Sequence, residues 1–382
     1  MSRIEKLVRE LCPNGVEYKE LKDCSEMKRG TSITKAQANE GNIPVISGGK
    51  EPAFYCDIAN RNGETITIAG SGAGAGYVQY WNQPIFVNDA FSIKGESLVK
   101  TKYLFYFLQS KQNFIYSTKK GGGVPHVHIS DIDCLKIPVP PLEVQREIVK
   151  ILDNFTELTA ELTAELTARK KQYEYYRNKL LTFGSDCEWR TLKEIALRFC
   201  SGGTPLKGNH DYYDNGVIPW LRTQDVTFNE IQKVDSYITE LAVKETSAKW
   251  IPKNCVIVAI SGASAGRCAI NKIPLTTNQH CLNIEINPEI ALYKYVFYCV
   301  VNQYEELLQK KEGARGDLNS SRIMSLRIPV PPLEEQERIV SILDRFDKLC
   351  NDISEGLPAE IEARRKQYEY YRDKLLTFKI KE

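Results

Sequence analysis

The sequence has 382 residues, enough for two or three domains with cores of their own. With 51 Lys and Arg against 49 Asp and Glu, the net charge is only +2, which excludes binding nucleic acid by bulk charge; any such surface must be local. The apolar share of 42% is that of a globular chain, and no apolar run approaches the ~20 residues of a membrane span.

The segment MSRIEKLVREL is charged and amphipathic and lacks the apolar core of a signal peptide, so a cytoplasmic location is expected. Residues 1–136 read as a mostly β domain. Apolar stretches such as Ile43–Gly49, Glu64–Trp81 and Gln83–Gly95 alternate with Gly, Pro and Asn turn signals. Aromatic and Leu residues at helical spacing predict one helix at Lys102–Gln112. IPVPPLE follows, and Pro138, Pro140 and Pro141 can neither continue a sheet ladder nor sit inside a helix. An extended entry into a helix is predicted, with Glu143 in the first turn where the helix dipole favours an anion. From Leu142 to Phe183 nothing breaks a helix, a rod of roughly 60 Å at 1.5 Å per residue with one apolar stripe that needs a partner.

Much of this stretch occurs twice. Ile137–Phe155 and Ile328–Phe346 share 14 of 19 residues; Arg169–Phe183 and Arg364–Phe378 share 13 of 15. The blocks are 13 residues apart in the first copy and 17 in the second. The chain is therefore an internal duplication, and the remaining matches follow. SGAGAG at Ser71–Gly76 corresponds to SGASAG at Ser261–Gly266, Asn88 to Asn278, and KKGGG at Lys119–Gly123 to KKEGA at Lys310–Ala314. In the second copy Gly356 and Pro358 end or kink the helix, and Pro358 opens a new helical segment.

Candidate chemistry is sparse. A nucleotide P-loop needs Lys-Ser/Thr after its last Gly, and here Tyr77 and Val78, or Arg267 and Cys268, follow. A tight turn bringing backbone close to a strand or a phosphate is the better reading. VNDAF at Val87–Phe91 lacks both prolines of the amino-methyltransferase motif it faintly suggests, and its counterpart reads TNQHC. His126 and His128 alternate, but no further ligand stands at metal spacing, and the second copy has no His there. Eleven Cys without a CxxC pair, including Cys134, Cys255, Cys281 and Cys299, read as buried reduced thiols. No catalytic or metal residues are assigned. The pairs Lys119-Lys120 and Lys310-Lys311 recur beside Gly-rich loops in both copies, the second with Arg315 close by, as phosphate contacts would. Ser71, Tyr77, Asn88, His126, His128, Arg222, Gln224, Ser261, Arg267, Asn278, Gln279 and His280 complete the DNA-binding candidates, several of them of the types that read base edges.

IPVPPLEEQERIVSILD at Ile328–Asp344 and its first copy IPVPPLEVQREIVKILD resemble the segment that ends each target recognition domain in type I restriction–modification specificity subunits. The resemblance covers the whole chain, and TELTAELTAELTA at Thr156–Ala168 resembles the short repeat some members carry in the central helix. It implies an α+β fold: two mostly β target recognition domains separated by two long antiparallel conserved helices, with pseudo-twofold internal duplication. The expected divisions are 1–140, 141–183 (spacer helix, with repeat residues Thr159, Leu162, Thr163 and Leu166), 184–331, and 332–382 (kinked near Gly356 and Pro358). The resemblance further implies a non-catalytic subunit that recognises a bipartite sequence in double-stranded DNA. It would dock two methyltransferase subunits and the restriction motor subunits. S-adenosylmethionine, ATP and Mg would be used by those partners, and no membrane is involved. The competing reading is a scaffold that bridges protein partners without touching DNA.

Overall fold

A computed structural model describes residues 3–309, 318–352 and 354–381. The chain forms two compact units, Met1–Ala164 with Ala359–Glu382, and Glu165–Pro358. In the first, the strands are β1 (Glu17–Glu20), β2 (Ser25–Arg29), β3 (Ile43–Ile46), β4 (Phe54–Cys56), β5 (Glu64–Ala69), β6 (Val78–Asn82), β7 (Phe86–Val87), β8 (Ala90–Gly95) and β9 (Lys136–Val139). They make a sheet of order β2-β8-β5-β6, a smaller sheet β4-β3-β7, and the ribbon β1-β9. The second unit holds β10 (Trp189–Thr191), β11 (Ala196–Ser201), β12 (Ile218–Leu221), β13 (Glu230–Ile231), β14 (Tyr237–Ile238), β15 (Val256–Ala259), β16 (Cys268–Asn271), β17 (Thr276–Thr277), β18 (Cys281–Ile286) and β19 (Arg327–Pro329). Their orders, β11-β18-β15-β16-β13, β14-β12-β17 and β10-β19, repeat the plan with one extra strand. The fold is α+β and internally duplicated.

Each larger sheet buries β-branched residues such as Ile66, Ile68 and Ile93, or Val256, Val258 and Ile284, against an aromatic helix, Thr101–Ser110 or Tyr293–Asn302. The first of these helices stops at Ser110 and a second, Gln112–Ser117, follows, where one helix was expected through Gln112. Pro138 does stand in a ladder, opposite Tyr18 in β1. A two-stranded ribbon leaves each strand an outer edge, where a missing N–H is tolerated.

The long helix runs Leu142–Leu180 and belongs to both units. The repeat is expressed in matched bonds. Buried Gln145 accepts from Lys100 N (2.9 Å) and donates to Leu98 O (2.8 Å) and Pro140 O (2.7 Å). Gln336 accepts from Leu292 N (2.9 Å) and donates to Ile290 O (3.2 Å) and Pro331 O (2.8 Å). These amides lock the Pro-rich turn to the loop ahead of the aromatic helix. Lys102 and Tyr106 meet Asp153, as Lys294 and Tyr298 meet Asp344; burial pushes both tyrosine hydroxyls well above their usual range.

The second blocks of the repeat are exchanged between the units. In the first unit, Tyr371 stacks on Phe155 (5.6 Å between centroids), and Tyr368 Oη donates to Gln109 Oε1 (2.5 Å). In the second, Tyr176 stacks on Phe346 (5.6 Å), and Arg177 Nε donates to Asn302 Oδ1 (3.2 Å). So Arg364–Phe378 completes the first unit, and Arg169–Phe183 completes the second. The second copy's helix is two helices, Leu333–Asn351 and Leu357–Leu375. Asp352 Oδ1 accepts from Ser354 N (2.7 Å) and Glu355 N (3.1 Å), and a Cβ on Gly356 would lie 2.5 Å from Lys348 O. Only glycine fits that break. Of the cysteines expected in the interior, Cys187 and Cys200 are only half-buried and Cys134 is exposed, because it sits in a surface turn beside Lys22. No helix of the described residues is long and apolar enough to cross a membrane.

Candidate nucleic-acid interface

In the first unit three loops and a strand end converge at one end of the larger sheet. The β5–β6 hairpin carries Ser71–Gly76, with Gly72 and Gly76 at φ +78° and +81°, which favour glycine. Gly74 passes so close to Gly48, in the turn after β3, that a Cβ there would overlap the Gly48 carbonyl. The Gly-rich run thus serves backbone-to-backbone packing. The loop at 119–128 lies alongside: Gly72 N donates to Pro125 O (3.0 Å), Val127 N to Gly70 O (3.0 Å), and Lys120 and His126 exchange backbone bonds (2.9 and 2.8 Å). Ser71 Oγ donates to the Asp89 carboxylate. Asn88 clamps the segment after β2 with both amide groups, accepting from Ile33 N (3.1 Å) and donating to Ile33 O (3.2 Å). Ser71, Tyr77, Asn88, Lys119, Lys120, His126 and His128 are therefore brought together.

This end is basic. Lys120 pairs with Asp131 and holds that carboxyl below the usual carboxylate range. The Lys119 ammonium lies 4.3 Å from the Tyr116 ring centroid and Lys50 lies 5.2 Å from that of Tyr77, and neither has a carboxylate partner among the described residues. The His126 and His128 rings are parallel within 2°, with centroids 6.2 Å apart. Arg29, exposed at the end of β2, places Nη2 3.3 Å from His128 Nδ1. Arg29, Lys50 and Asp89 were not anticipated. A basic residue directly before Gly30 and another after Gly48-Gly49 were the available signals.

The second unit keeps this frame. Gly262 and Gly266 take φ +68° and +87°, Gly203 N donates to Thr277 O (2.9 Å), and Leu318 N donates to Ile260 O (2.8 Å). Ser261 and Arg267 flank its hairpin turn, half-buried. Asn278 is buried and accepts from His280 N (3.1 Å), so it shapes the turn that presents Gln279 and His280. Gln279 accepts from Thr204 Oγ1 and stands 3.2 Å from His280 Nε2. Gln224 is exposed on a short helical turn after β12, whereas Arg222 is half-buried with a buried Nε that has no hydrogen-bond partner. Lys310, Lys311 and Arg315 lie outside the described residues.

On the long helix, Thr159 Oγ1 donates to Phe155 O (2.8 Å) and Thr163 Oγ1 to Thr159 O (2.7 Å). These bonds turn the hydroxyls of the four-residue repeat back onto the helix's own carbonyls. Leu162 and Leu166 are half-buried. Among the described residues no three His, Cys, Asp or Glu side chains group as metal ligands would.

The profile of the type I restriction modification DNA specificity domain matches residues 13–169 and again 184–363. The chain belongs to the type I restriction–modification specificity subunits. It is 42% identical over 291 residues to a type I restriction enzyme specificity subunit of Escherichia coli, covering 72% of this chain and 70% of that protein. Against a Haemophilus influenzae protein named as a type I specificity subunit, identity is 33% over 356 residues, covering 88% and 89%. The crystal structure of a type I S subunit from M. genitalium shares the fold, with TM-score 0.65 over 95% of this chain and 96% of that one at 19% identity. These relatives are named as specificity subunits rather than catalytic ones, which assigns this chain to DNA sequence specificity within a type I complex.

Proposed function

We propose that this specificity subunit selects a bipartite DNA sequence, each unit reading one half-site in the major groove. The observation that carries this is the duplicated frame with divergent tips. The glycines and backbone bonds that position the loops recur, while the exposed side chains they present at matched positions, Asp89 and His128 against His280 and Asn319, do not. Two readers of unlike half-sites need that combination. The helices would set the half-site spacing and dock two methyltransferase subunits and the motor subunits. S-adenosylmethionine, ATP and Mg would serve in those partners.

Duplex binding by the complex with its methyltransferase partner, measured against salt, tests this. A slope of about −0.9 per phosphate contact is expected from the lysines at the loop tips. No duplex binding at low salt would favour the protein scaffold instead.

A further inference from the structure

The two units match in backbone and differ in chemistry at one pair of positions. Arg29 ends β2 opposite Phe91 of β8; Ser201 ends β11 opposite Leu282 of β18. In each case the next residue is a glycine packed against a turn carbonyl, Asn88 O for Gly30 and Thr277 O for Gly202. His128 follows Val127, whose N–H bonds to Gly70 O; Asn319 follows Leu318, whose N–H bonds to Ile260 O. Both begin a helical turn, His128 N donating to Asp131 Oδ2 (2.8 Å) and Asn319 Oδ1 accepting from Arg322 N (2.8 Å). Arg29 with His128 thus corresponds to Ser201 with Asn319.

In the first unit the pair is joined. A guanidinium only donates, so His128 Nδ1 accepts the 3.3 Å bond and the ring carries its proton on Nε2. Arg29 has no carboxylate partner among the described residues, and its own carbonyl is held by Arg61 Nη2 (2.8 Å), itself anchored to Ser92 Oγ (2.7 Å). The backbone is held, and the head group is tied to His128 at one nitrogen. Phosphate neutralisation needs only proximity, which the flexible Lys50 and Lys119 offer. A guanidinium oriented by a second residue suits bidentate donation to guanine O6 and N7.

We propose that Arg29, positioned by His128, reads a guanine in the half-site of the first unit, and that Ser201 and Asn319 set the base at the matched position of the other half-site. This rests on the DNA-reading function above. The test is methylation-motif detection in cells carrying the chain with its methyltransferase partner. In Arg29→Ala and Arg29→Lys, discrimination for guanine should fall about ten- to a hundredfold at one position of one half-site, leaving the other half intact. His128→Ala should weaken the same position, and His128→Asn, which keeps an acceptor, should restore it. A motif unchanged in Arg29→Lys, with Arg29→Ala lowering methylation at every site and reducing the salt slope by about one, makes Arg29 a phosphate contact and overturns the inference alone. A wild-type complex with no sequence preference overturns the DNA-reading function and the inference together.

Discussion

Truncation of Gln145 to Ala removes three hydrogen bonds at once and leaves one N–H and two carbonyls of the Pro-rich junction unpaired. Each such loss costs about 1–3 kcal/mol when the group is buried, and Leu98 is partly exposed, so about 3 kcal/mol is expected in all. For a unit of this size that corresponds to about 6–12 °C in Tm. Trp81 is the only tryptophan of the first unit's sequence, while Trp189, Trp220 and Trp250 lie in the second, so selective excitation of a Trp81-only background follows the first unit. Thermal unfolding in that background, with amide exchange at Lys100 and Gln145, reads the effect directly. A shift below about 2 °C with the Lys100 amide still protected would refute the clamp. Gln336→Ala should do to the second unit what Gln145→Ala does to the first.

Gly74→Ala should destabilise the first unit by about 1–3 kcal/mol, since its Cβ meets the Gly48 carbonyl, whereas Ser264→Ala at the matching place should change little; parallel denaturant titrations decide it. The Glu20 carboxyl is pushed down to about 2 by hydrogen bonds from Lys22 and Lys136, so its contribution to the β1-β9 ribbon is full above its ordinary value of 4.5 and is lost as pH falls from there towards about 2. Exchange of the Glu17–Glu20 amides should accelerate over that range relative to Glu20→Gln, and identical profiles would remove Glu20 from the account. Deleting Thr163–Leu166 removes about 6 Å and about 40° beyond a full turn while keeping the apolar stripe in phase. Both half-sites should persist with a spacer shorter by about one base pair; an altered half-site with unchanged spacing would sink the idea.

The duplication was legible because it is written in covalent order. Pro-rich entry, apolar stripe and glycine punctuation each act within a few residues, and the helices at Leu142–Leu180 and Leu357–Leu375 follow from them. What stayed hidden depends on distant groups meeting. Gln145 looks like any polar residue in a first helical turn until Leu98 and Lys100 are brought to it. Arg29 and His128 are 99 positions apart, and they meet through the register of β2 on β8 together with the bond of Val127 to Gly70 at the end of β5. Asn88, by its type a base reader, is committed to the Ile33 backbone. The exchange of helical blocks between units was equally unreadable, because the repeats are nearly identical and sequence alone gives either partner the same fit.

The most direct test of the whole account is the methylation motif of a chain in which residues 184–327 are replaced by the corresponding segment of another family member. One half of the target should change and the other should stay as it was. If both halves change together, the two units do not read DNA independently, and the division of labour argued from the duplicated frame is wrong.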